Sequence, residues 1–127
     1  MIAVDTSAIL EILLRRPRFD ACAGALSDHT DVLISAGTLT ELYIVAGQRG
    51  LAADLASLMD RLDLQVVPVT EATAERIGQI YSAWGKGVHP ASLNFGDCFA
   101  YDVAREHTCP LLFVGNDFSQ TDIISAL

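Results

Sequence analysis

Short apolar runs alternate with amphipathic helical patterns along the whole chain, and no other feature of the sequence constrains its fold as much. Residues 2–5, 31–35, 64–69 and 111–114 read as strands, rich in Val, Ile and Leu. Between them the apolar spacing predicts helices over about 18–28, 37–48, 51–62, 71–84 and 95–107. A further helix opens at Thr6, read as its N-cap, carries Ile9, Leu10, Ile12, Leu13 and Leu14, and is stopped by Pro17. Thr70 and Thr73 are capping residues for the helix at 71–84, and Tyr43 is placed with Leu39, Leu42 and Ala46 on an inward face. Pro68 marks its strand as an edge or its end. Strands separated by helices join in parallel through crossovers, which lay the helices on both faces of the sheet. The expected fold is therefore α/β, with three α/β/α layers around a central, mainly parallel sheet of four to five strands. One domain is expected to span residues 1–127.

Apolar residues make up 51% of the chain, enough for a buried core and too many for a disordered segment. No apolar run approaches the roughly 20 residues needed to span a membrane. The N-terminus lacks a basic region and Asp5 interrupts its apolar stretch, so no signal peptide is expected. Cys22, Cys98 and Cys109 are odd in number and irregularly spaced, which fits a reducing cytoplasm better than a disulfide framework. A formal charge of −8 argues against a nucleic-acid partner, because backbone phosphates favour Lys and Arg.

Five acids qualify that argument. Asp5 ends the first strand, Glu41 follows the second, Asp117 and Asp122 follow the fourth, and Asp97 opens a helix behind Asn94-Phe95-Gly96. In a parallel sheet, ligands collect beyond the carboxyl ends of the strands, so these acids converge on one edge. Carboxylates gathered there repel one another unless a cation sits among them. Each acid alone also has a plain structural reading, as a helix cap, a turn residue or an acid favoured by a helix dipole. Their shared placement is what points to a metal site.

Other constellations are weaker. His29, His89 and His107 have no paired spacing, and Cys98, His107 and Cys109 lack the close pairs of a zinc site. There is no phosphate-cradling Gly-rich loop after a strand and no triad nucleophile. Arg15, Arg16 and Arg18 form the one basic cluster, a surface for a phosphate backbone or for a partner's acids.

Taken together, Val4-Asp5-Thr6-Ser7-Ala8, Thr40-Glu41, Leu93-Asn94-Phe95-Gly96-Asp97-Cys98 and Phe113-Val114-Gly115-Asn116-Asp117-Phe118 through Thr121-Asp122-Ile123 give a specific pattern. With these pieces in this order, the chain resembles a PIN-domain ribonuclease of the VapC type, the toxin of a type II toxin–antitoxin pair. The resemblance covers essentially the full chain. It implies a PIN-like fold and Mg²⁺-dependent endonucleolytic cleavage of RNA, with Mn²⁺ as a substitute, by a metal-activated water attacking in line. Products would carry a 5′-phosphate and a 3′-hydroxyl. Asp5 and Asp97 correspond to the principal metal ligands, Glu41 and Asp117 complete the site, and Asp122 is a fifth member. Glu41 or Asp117 would orient the water, and one or two ions would bind. Thr6 matches the family's hydroxyl beside the first Asp, and Asn94 its polar residue before Gly-Asp. Asn116 stands where many relatives have a second acid. The resemblance also implies a cognate VapB-type antitoxin, a toxin homodimer and a toxin–antitoxin hetero-oligomer, with the helices at 37–62 as contact candidates. The loop 85–94, with Lys86 and His89, is a candidate for choosing the RNA.

Rival readings fit less of the sequence. A response-regulator-like phosphoacceptor wants adjacent acids after the first strand and a late Lys, whereas Thr6-Ser7 follow Asp5 and the sole Lys is Lys86. A dehalogenase-type phosphatase wants a second Asp where Ser7 stands. A non-catalytic PIN-like interaction module would not need the acids.

Overall fold

The computed structural model describes all residues 1–127. Four strands, β1 (Ile2–Val4), β2 (Val32–Ser35), β3 (Gln65–Val67) and β4 (Leu111–Leu112), form one sheet in the order β3-β2-β1-β4, and every pairing is parallel. The chain tail adds a single parallel bridge, Ser125 against Leu111, in place of a full fifth strand. Six helices accompany the sheet: α1 (Thr6–Leu13), α2 (Phe19–Ser27), α3 (Ala36–Gln48), α4 (Ala52–Leu62), α5 (Glu71–Trp84) and α6 (Phe95–Glu106).

β1, β2 and β4 are buried on both faces, so their alternating side chains feed two separate cores, whereas the edge strand β3 is largely exposed. Ile2, Val4, Val32, Ile34 and Leu112 point to one side, where α1–α4 contribute Ile9, Cys22, Leu42, Leu55 and Leu58. Ala3, Leu33 and Leu111 point to the other, against Ile77 of α5 and Cys98, Tyr101 and Val103 of α6. The expected three layers are present. β3 lies at the edge and ends directly before Pro68, which has no N–H to offer a further ladder bond.

Local differences from the sequence expectation have local causes. Asp5, not Thr6, caps α1: its carboxylate accepts the Ser7 backbone N–H, and Thr6 is already helical. α1 ends at Leu13, ahead of Pro17, because Arg15 turns into the left-handed region (φ 50°). Tyr43 is exposed, because the buried face of α3 is Thr38, Leu42 and Ala46, at a strict four-residue spacing that Tyr43 falls outside. Thr70 and Thr73 do form a reciprocal capping box at the start of α5.

Candidate active site

Parallel pairing puts the carboxyl ends of all the strands on one edge, and α1, α3 and α6 are among the helices that start there. α1 and α3 start directly after β1 and β2. α6 precedes β4 through a short turn, so it runs back antiparallel to the strands and also begins at that edge. Each N-terminus presents free backbone N–H groups and the positive end of a helix dipole. The fold therefore builds a place where acids are tolerated, and the sequence fills it with acids.

Asp5 is the residue between β1 and α1 and is buried. Its Oδ2 accepts both the backbone N–H of Ser7 (3.1 Å) and the Ser7 hydroxyl (2.6 Å). The Ser7 Oγ in turn accepts the N–H of Val114 (3.0 Å), just beyond β4. One serine thus fixes the Asp5 carboxylate and ties it to the loop that carries Asp117. Asp97 lies in the first turn of α6 and is 8% exposed. It shares a capping box with Asn94, whose side chain accepts the Asp97 N–H (2.9 Å) while Asp97 Oδ2 accepts the Asn94 N–H (3.0 Å).

Glu41 reaches the same place from the second turn of α3. Its Oε1 accepts the Thr6 hydroxyl (2.6 Å), and its carboxylate lies against Gly96, where any Cβ would collide with it. Gly37, one turn earlier in α3, is equally tight against the Phe99 ring. The two glycines let α3 and α6 pack closely, which brings the Glu41 charge within reach of Asp97. Asp117 sits on the exposed turn after β4, which is closed by the Ser119 N–H and hydroxyl donating to Asn116 O. Asn116 is exposed beside it.

The electrostatics show that the four acids belong together. Burial first, and then the nearby charges of Asp117, Asp5 and Glu41, together push the Asp97 carboxyl up to about 7 against the hydrogen bond from Asn94. Asp5 is also held above the usual carboxylate range, by burial first and by Glu41 in addition, although its bonds from Ser7 favour the charged form. None of the four has a Lys or Arg ion-pair partner.

Asp122 is not part of this group. Its Oδ1 accepts the Tyr101 hydroxyl (2.6 Å) and its Oδ2 faces Arg105 (3.5 Å), one and two turns along α6 from Asp97. The zinc alternative also comes apart: Cys98 Sγ donates to Asn94 O, and His107 Nδ1 bonds Val103 O in the last turns of the same helix. His89 is absorbed into its own loop, with Nδ1 accepting the Ala91 N–H and its ring edge-on to Trp84. The arginine cluster lies elsewhere, where Glu11 accepts the Arg18 N–H and Arg15 rims a groove between α1, α2 and α4. Two contributors escaped the sequence reading. Ser7 and Gly96 were visible only as neighbours of the acids, and their roles depend on contacts with Val114 and Glu41 far away in the chain.

The donor set suits a divalent cation. Every donor is a carboxylate oxygen, the type that Mg²⁺ and Mn²⁺ prefer, and the mutual repulsion is what a bound cation would relieve. The side chains do not close into a ready set of three ligands around one point. Mg²⁺ commonly keeps several waters and takes only one or two protein carboxylates, so an open half-shell matches its chemistry.

Known proteins place the chain. The PIN domain family model matches residues 2–124. The chain is 40% identical to a VapC ribonuclease of Mycobacterium bovis (Mb0625) and to ribonuclease VapC28 of Mycobacterium tuberculosis, covering 98% of this chain and 96% of each relative. It is 38% identical to ribonuclease VapC36 of M. tuberculosis, over 94% of this chain and 89% of that one. Among solved structures it superimposes on M. tuberculosis VapC20, described as a sarcin–ricin loop cleaving toxin, with a TM-score of 0.79 at 21% identity, covering 98% and 97% of the two chains. A toxin–antitoxin complex from Klebsiella pneumoniae matches with a TM-score of 0.75 at 15% identity, over 100% and 98%. No helix is long and apolar enough to cross a membrane. With a PIN family match over nearly every residue and curated relatives of one kind, the chain belongs to the PIN-domain family and, within it, to the VapC ribonucleases.

Proposed function

We propose that this chain is a Mg²⁺-dependent endoribonuclease, the toxin of a type II pair neutralised by a cognate VapB-type antitoxin, and that it acts in the cytoplasm. The observation that carries the reading is the group of four acids at the carboxyl edge, two of them buried, with no Lys or Arg paired to them. Asp5 and Asp97 would hold the ion through Oδ1, since the hydrogen bonds from Ser7 and Asn94 engage Oδ2 in each. Glu41 and Asp117 would complete the site. Mg²⁺, or Mn²⁺ in its place, supplies Lewis-acid polarisation of the scissile phosphate and a water acidic enough to attack near neutral pH. Glu41, anchored by Thr6, would orient the attacking water and accept its proton. Asp117, on an exposed turn, meets the substrate from the solvent side. Ser7 keeps Asp5 and the Asp117 loop in register.

For the antitoxin, we assign the open groove of about 420 Å³ between α1, α2 and α4. Its floor is apolar (Ile12, Leu13, Phe19, Leu26, Leu58 and Leu62) and Arg15, Arg61 and Asp54 stand on its rim. That combination suits an amphipathic helix with charged flanks.

The test uses the purified full chain, stripped with a chelator, on single-stranded RNA with mapped ends. Mg²⁺ or Mn²⁺ should restore internal cleavage with 5′-phosphate and 3′-hydroxyl products. Cleavage that persists in excess chelator, or an inert protein at saturating Mn²⁺, would sink the proposal.

A further inference from the structure

Phe95 is the most exposed aromatic residue of the chain, at 70%, and it stands between Asn94 and Gly96 at the mouth of the acid site. Phe99, one turn along α6, meets its ring edge-on with centroids 5.0 Å apart. Phe99 is itself held against Gly37 of α3, where a Cβ would strike its ring. On the same face of α3, Glu41 lies against Gly96, and one turn further on is the exposed Ile44. An apolar patch therefore adjoins the carboxylates, with most of the Phe95 ring open to solvent.

The charge distribution says what that patch is for. The chain has 8 Lys and Arg against 16 Asp and Glu. Arg76 is engaged by Asp102 and Glu106, and Arg105 by Asp122. Arg15 and Arg61 line the groove between α1, α2 and α4. No salt bridge or hydrogen bond brings a Lys or Arg to any of the four site acids. With no Lys or Arg paired to its acids, the site offers a phosphate backbone no fixed positive group beyond a bound ion, so an RNA strand gains from a source of affinity other than charge. Base–aromatic stacking is such a source, because every base has a π-face and the interaction does not depend on net charge.

We infer that Phe95 is a stacking platform for an unpaired nucleobase next to the scissile phosphate, so that substrate is held by stacking more than by phosphate contacts. This rests on the ribonuclease reading above and names the element of single-stranded RNA that the site grips. An exposed base fits the open ring, whereas the bases of a duplex are already stacked on one another.

The test compares the wild type with Phe95→Ala, Phe95→Tyr and Phe95→Trp, using a fluorescent single-stranded RNA. Binding is read by anisotropy with the metal chelated, and cleavage is read separately with Mn²⁺. Phe95→Ala should weaken binding and lower kcat/KM by roughly tenfold or more, the usual range for loss of one stacked base. Tyr and Trp should restore both to within about threefold. 5-Iodouridine should photo-crosslink to residue 95 in the wild type. Binding should also respond weakly to salt, with a log–log slope matching only about one or two phosphates. Equal binding by Phe95→Ala and wild type, with no crosslink, overturns the inference. A drop in native mass of Phe95→Ala with RNA binding intact also overturns it, and makes Phe95 a contact between copies of the chain. If the wild type binds RNA through Phe95 but does not cut it, the stacking inference stands and the ribonuclease reading fails. If the wild type cuts RNA and Phe95→Ala cuts it equally well, the reverse holds.

Discussion

Helix α6 carries two buried acids a turn and a half apart, and the protein treats them in opposite ways. Asp97 is 8% exposed and Asp102 is 4% exposed. Asp102 is gripped by Arg76 through Nε (2.7 Å) and Nη2 (3.1 Å), a bidentate pair that joins α5 to α6 and also draws in Glu106. Asp97 has only an amide from Asn94 and three other acids, and its carboxyl is pushed up to about 7. Burial alone therefore does not mark a site. A buried acid with a matched cation is architecture, while one left among its own kind is a candidate for function. Asp122 is exposed rather than buried, but it too is matched, since Tyr101 and Arg105 occupy its two oxygens.

The contrast is sharpest in its functional consequence. Asp97→Asn should reduce RNA cleavage by on the order of 10³-fold without lowering the melting temperature of the metal-free protein, since it removes repulsion and keeps an oxygen for the Asn94 cap. A variant that cleaves normally would break the comparison at its functional end. The next effect concerns geometry alone. Gly96→Ala places a Cβ against the Glu41 carboxylate, and Thr6→Val removes the hydroxyl that anchors it. Each should cost about 10–100-fold in cleavage rate, the range for groups that orient a metal site. Normal single-turnover rates in both would mean that Glu41 is not held for a purpose.

At the architectural end, Asp102→Ala should destabilise the fold by about 2 kcal/mol, a figure reduced for the solvent that reaches Arg76, and leave cleavage per folded molecule unchanged. Urea denaturation with active-fraction titration checks both halves. The smallest effect is a pH slope. The Asp97 carboxyl lies near 7 in the fold and near 3.8 when unfolded, so between those values the native state binds more protons than the unfolded chain. Stability of the metal-free protein should therefore rise as pH falls from about 7 towards 4, with Asp5 contributing in the same direction. In Asp97→Asn the slope should flatten. A melting temperature that climbs with pH across this window would contradict the account.

Much of this was legible in the sequence because parallel α/β folds convert chain order into position. Once residues 2–5, 31–35 and 111–114 read as strands of one parallel sheet, the residues after them had to share an edge, and Asp5, Glu41 and Asp117 followed without any contact being known. What was not legible depends on pairings that no spacing encodes. Asp122 has the same local context as Asp117, a turn after the last strand, yet Tyr101, 21 residues away, takes it out of the group. Ser7 matters because Val114 donates to it across 107 residues. Tyr43 was misplaced because a periodic stripe does not say where its buried centre lies, and α3 centres on Leu42.

The claim at the centre of this account is that the unmatched acids form a cation site and the matched ones do not. Calorimetric titration of Mn²⁺ into wild type, Asp97→Asn and Asp102→Asn tests it without reference to RNA. The account predicts saturable binding in the wild type, binding weakened by at least about tenfold in Asp97→Asn, and wild-type affinity in Asp102→Asn. Equal Mn²⁺ affinity in wild type and Asp97→Asn would contradict it.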